Sequence, residues 1–139
     1  MSYATQQDLV TRFGELEMTQ LTDRNGAGEI DAGVVAKALL DAGKLIDSYI
    51  AARAALPLPS VPDRLVRVAG DIARYYLHAD RPTEQVAKAY EDAVRWLRDI
   101  AAGKATLEID GASVAPPADL TISIQTGGRI FGRDALKGY

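Results

Sequence analysis

Between residues 31 and 103 the apolar positions recur at three- and four-residue steps, in three runs separated by proline. That spacing predicts three consecutive amphipathic helices, each with one stripe for a core. In the first run, from 31 to about 55, Val35, Ala38, Leu39, Ala42, Leu45, Ile46, Tyr49 and Ile50 form the stripe. Lys37, Asp41, Lys44 and Ser48 fall opposite, and Gly43 is expected near the polar side. Asp31 is a good N-cap. Leu56-Pro57-Leu58-Pro59 then stops the helix, because proline lacks an amide donor and restricts the residue before it.

Ser60 is placed to cap the second helix, with Pro62 and Asp63 in its first turn. Leu65, Val68, Ala69, Ile72, Ala73, Tyr76 and Leu77 make its stripe, and His78 and Asp80 close it before Pro82. The third helix spans about 83–102, with Val86, Ala89, Tyr90, Ala93, Leu97 and Ile100 inward. Gly103 suits a left-handed stop, and Lys104 lies near the negative end of the helix dipole. Two charges interrupt the pattern. Arg53 lies on the axis of the first stripe, and Asp71 sits beside Ile72. A buried Arg must pair, so a structural ion pair Arg53–Asp71 is expected; the alternative is an Arg53 that snorkels to water.

Before this middle, Thr5-Gln6-Gln7-Asp8 resembles a capping box and starts a short helix bearing Leu9, Val10 and Phe13, ended by Gly14. Residues 15–21 add another turn or two. Such short pieces are unstable alone and must dock on the body. The following Asp23-Arg24-Asn25-Gly26-Ala27-Gly28-Glu29-Ile30 superficially resembles a calcium-binding loop. Ala27 and Val34 stand where that loop needs a ligand and a bidentate Glu. The simpler reading is a Gly-rich turn ending in an N-cap.

After Gly103 the period changes. Thr106-Leu107-Glu108-Ile109, the turn dipeptide Asp110-Gly111, and Ala112-Ser113-Val114 suggest a β-hairpin. Pro116-Pro117 stiffens a linker. Residues 120–125 alternate apolar and polar like a half-buried strand, and 129–133 suggest its return. The predicted architecture is mainly α: a small helical bundle over 1–103, with short N-terminal helices, and an extended arm with short hairpins over 104–139. Isolated hairpins are marginal in water, so the arm needs the body, a neighbour or a partner. Arg129, Phe131, Arg133 and Tyr139 give it the aromatic and arginine anchors of a docking peptide; the alternative is a tail folded back on the body.

Composition narrows the chemistry. The 139 residues suit one core, and a net charge of −3 gives no broad basic footprint for nucleic acid. With no cysteine and His78 as the one histidine, thiolate chemistry and a multi-histidine zinc site have no raw material. No phosphate loop and no paired-carboxylate spacing is present. We expect no enzymatic activity, no metal, no cofactor and no membrane span.

The order of short motifs carries a resemblance. Tyr3-Ala4-Thr5, Asp8-Leu9 and Arg12-Phe13-Gly14 open it, and Gln20-Leu21-Thr22-Asp23 with the Gly-rich turn follows. Then come Ala38-Leu39, Asp41-Ala42, Ile46-Asp47, Tyr49, Arg53, Leu56-Pro57-Leu58, Asp71-Ile72-Ala73-Arg74-Tyr75 and Gly103-Lys104. Arg129-Ile130-Phe131-Gly132-Arg133 and Leu136, Gly138, Tyr139 end it. Together these resemble the head–tail connector (adaptor, head-completion) proteins of Mu-type phages and prophages.

The resemblance implies a helical bundle that forms a homo-oligomeric ring, usually twelve-fold, beneath the portal protein. It implies a neck or tail-completion protein on the far side and DNA passing through the lumen without specific binding. The place implied is the neck of the virion, after synthesis in the host cytoplasm. On this reading Arg129, Phe131, Arg133 and Tyr139 dock on the portal or a neighbour, while Arg53 and Asp71 maintain the fold. The competing readings are a DNA-packaging accessory or nucleic-acid-binding helical module, and a calcium-responsive adaptor.

Overall fold

In the computed structural model, residues 2–79, 81–109 and 112–114 are described. The expected second hairpin, the Pro116-Pro117 linker and the anchors Arg129, Phe131, Arg133 and Tyr139 lie outside them. The described chain is mainly helical. Its elements are α1 (Gln6–Phe13), α2 (Glu15–Thr22), α3 (Ala32–Ile50), α4 (Asp63–Leu77), α5 (Glu84–Ala102), β1 (Leu107–Ile109) and β2 (Ala112–Val114).

α3 is the centre, touching each of the other four helices. That position explains the width of its buried face, which takes in Gly43 as well as Ala38, Ala42, Ile46 and Ile50. The expectation that Gly43 faces the polar side is therefore corrected. A stripe set by one neighbour is narrow; a helix packed from several sides buries more of its circumference. Leu65 and Ile72 of α4, Leu97 and Ile100 of α5, and Leu9 and Met18 of the lead-in complete the core.

The helix starts are largely those the sequence encodes. Thr5 and Asp8 form the reciprocal capping box: the Asp8 amide donates to Thr5 Oγ1 at 3.2 Å and the Thr5 amide to Asp8 Oδ2 at 2.8 Å. Asp31 accepts from the Gly33 and Val34 amides, and Thr83 from Val86. Each satisfies an amide that the first helical turn leaves over. α4 differs. Its N-cap is Pro62, not Ser60, and no side chain caps it.

α3 ends at Ile50, with the last residue of its apolar stripe and short of the expected bound of about 55. Its ladder closes at Ile50, and the Arg53 and Ala54 amides turn back to the Ile50 carbonyl. The chain then runs through a cis Leu56–Pro57 bond and delivers Leu58 to the core at 6% exposure. At the other end of the body, Gly103 takes φ +80°, the left-handed stop that glycine adopts without a Cβ penalty. β1 and β2 pair antiparallel, with Leu107 opposite Val114 and Ile109 opposite Ala112. Leu107 is 2% exposed and belongs to the core, so the first hairpin is rooted in the helical body.

Candidate functional site

Arg53 and Asp71 do not form the expected pair; the structure gives each another partner. Because α3 stops at Ile50, Arg53 sits in the turn beyond it and points to the end of α5. Its Nε donates to the carbonyls of Ile100, at 3.2 Å, and Ala101, at 2.9 Å. These carbonyls belong to the last turn of α5, where acceptors lack helical partners and the dipole favours a cation. Arg53 is thus a C-terminal cap supplied from another element.

Asp71 faces the lead-in. Arg12 on α1 donates through Nη2 to Asp71 Oδ1 at 2.9 Å and through Nη1 to the Arg67 carbonyl at 3.0 Å. One turn along α4, Arg74 meets Glu17 of α2 in a two-pronged bond of 2.7 and 2.9 Å. Phe13 lies between the pairs. The Arg12 guanidinium is 4.6 Å and that of Arg74 4.3 Å from its ring centre. Planar guanidinium groups suit both contacts, the carboxylate fork and the aromatic face. Gly70 leaves room for the crossing: a Cβ there would stand 2.8 Å from Arg12 Nη1, and the guanidinium would have to shift.

This clamp brings together residues far apart in sequence. Its signal was a pair of charges at Asp71 and Arg74, three apart and so on one helix face, with complementary charges at Arg12 and Glu17. Periodicity alone does not tell which lead-in charge meets which.

Two smaller anchors hold the ends of the lead-in. Tyr3, 3% exposed, donates its hydroxyl to Asp47 Oδ1 on α3. Burial first, and the Asp47 bond second, hold the Tyr3 phenol well above its ordinary range. Thr22 is fully buried; its hydroxyl donates to the Met18 carbonyl at 2.8 Å and accepts from the Asp31 amide at 3.0 Å. In the loop between them, Asp23 accepts from the Ala27 amide at 2.8 Å and the Gly28 amide at 2.7 Å. The Gly28 and Ala27 bonds lower its pKa. The carboxylate thus organises the turn, and Asp31 caps α3.

His78 is the C-cap of α4, its Nδ1 lying 2.9 Å from the Arg74 carbonyl. Tyr75 and Tyr90 stack at 4.0 Å between ring centres, and Tyr76 lies tilted against Tyr90. Among the described residues no group of three or more His, Cys, Asp or Glu side chains is placed to hold a metal ion. None of the described helices is long and apolar enough to cross a membrane.

A groove of about 570 Å³ lies where the start of α4, the end of α5 and β1 meet. Val61, Pro62, Trp96 and Leu107 give it apolar walls, and Arg64 lies 4.8 Å over the Trp96 ring. The charges of the clamp hold the lead-in helices against α4.

Comparison with known proteins agrees over nearly the whole chain. The family described as "Bacteriophage Mu, Gp36" matches residues 3–125. "Gene product J" of Escherichia phage Mu is 36% identical over 141 residues, covering 100% of this chain and 99% of its own. The "Mu-like prophage FluMu protein gp36" of Haemophilus influenzae is 33% identical over 137 residues, covering 99% of this chain and 97% of its own. Arg12, Phe13, Asp71, Arg74 and the groove all fall within the matched region, and the chain belongs to the bacteriophage Mu Gp36 family.

Proposed function

We propose that this phage protein is a structural head–tail connector, forming a ring under the portal and joining the DNA-filled head to the neck or tail. One observation carries the reading: the likeness to phage and prophage proteins runs over the full length, helical body and C-terminal residues together. The body supports it, because its buried and half-buried charges are spent on holding five helices in place. A net charge of −3 suits a lumen that lets DNA pass, since a basic wall would retain phosphates. In this role the protein is non-enzymatic and needs no cofactor. Arg129, Phe131, Arg133 and Tyr139 are its contacts to the portal or to a neighbouring subunit. Its place is the virion neck, after synthesis in the host cytoplasm.

Truncation tests the proposal. A chain ending at residue 115 is expected to keep its helical circular-dichroism signal and to lose the ability to join heads to tails when it replaces the full chain. A truncated chain that joins them as well as the full one would contradict the assignment of docking to the arm.

A further inference from the structure

Among the described residues β1 pairs with β2 alone, and no described strand lies on its other edge. In an antiparallel ladder every second residue directs its amide and carbonyl away from the partner. These groups stand beside the groove, which Thr106, Leu107 and Glu108 line on one side and Val61, Pro62 and Trp96 on the others. Leu107 is buried beneath the strand, while Glu108 is exposed on its outer face. A strand laid on this edge would need apolar residues in the Leu107 layer and polar ones in the Glu108 layer, at period two.

The sequence holds one such segment outside the described residues: Leu120, Ile122 and Ile124 alternate with Thr121, Ser123 and Gln125. We propose that this other edge of β1 and its groove receive residues 120–125 of a second copy of this chain as an added strand. This deepens the connector reading and rests on it for the neighbouring copy. The direction of the chain argues for a second copy over the same one. Val114 leaves the hairpin from β2, on the far side of β1 from that edge. The connector of residues 115–119 contains Pro116 and Pro117, whose fixed φ favours an extended path over a reversal around the hairpin.

The absence of cysteine makes the test direct. One preparation of the full chain carries Glu108→Cys; three others carry Thr121→Cys, Ser123→Cys or Gln125→Cys. Mixed under conditions of subunit exchange and then oxidised, the first is expected to form a disulfide-linked heterodimer with at least one of the other three. A Glu15→Cys control on α2 should form none with the same partners. Ile122→Asp with Ile124→Asp should weaken association in sedimentation by at least ~10-fold, about 1.4 kcal/mol. A chain monomeric at every accessible concentration overturns the proposal. So does an associated chain without the cross-link, or a chain carrying both Glu108→Cys and Ser123→Cys that closes its disulfide internally. Joined virions formed without this protein would remove the connector role and leave the cross-link standing; successful joining with no cross-link would remove the strand exchange alone.

Discussion

Thr22 carries an unusual share of the fold for one side chain. Its hydroxyl ties the last turn of α2 to the backbone that enters α3, and it is the one polar residue fully buried among the described residues. Thr22→Val keeps the shape and removes the hydroxyl, leaving the Asp31 amide without its acceptor. We expect a loss of roughly 1–3 kcal/mol in urea unfolding. A change within about 0.5 kcal/mol would show that water replaces the bond. Tyr76 sets a pH dependence. Burial, with Tyr90 beside it adding, pushes its phenol up from 10.0 to about 12. The neutral phenol is therefore favoured in the fold. Its contribution is fully present below about pH 10 and is lost as pH rises toward about 12. Urea midpoints should fall over that window, and Tyr76→Phe should flatten the slope. An unchanged slope would place the titration elsewhere; Tyr3, also raised, contributes in the same sense.

The docking of α1 and α2 on α4 rests on two charge pairs around one aromatic ring, and each pair can be weighed separately. A double-mutant cycle between Arg12→Ala and Asp71→Ala should give a coupling energy of about 0.5–3 kcal/mol. The cycle between Arg53→Ala and Asp71→Ala should couple by less than ~0.5 kcal/mol, since Arg53 caps α5 instead. The reverse outcome would restore the Arg53–Asp71 pair. These elements also show what a sequence reveals. The capping box at Thr5, the N-cap at Asp31, the stripes of α3, α4 and α5, and the stop at Gly103 are set by residues close in sequence, and the chain encodes them plainly. The partners of Arg53 and Asp71 are not local. They depend on where α3 ends and on which face of α4 the lead-in covers, and apolar spacing alone leaves both open. Gly70 belongs to the same class: its value lies in the Arg12 side chain passing over it.

For the molecule as a unit, the end of the helices near Gly103 and the first hairpin after it were legible from the change of period there. Less legible was how firmly the first hairpin is tied to the body through buried Leu107. A three-residue strand offers too short an apolar pattern to announce its packing partner. If this protein joins heads to tails, electron microscopy of particles made in a host infected with phage lacking this chain will show DNA-filled heads and finished tails side by side, unjoined. Normal joined virions would contradict it.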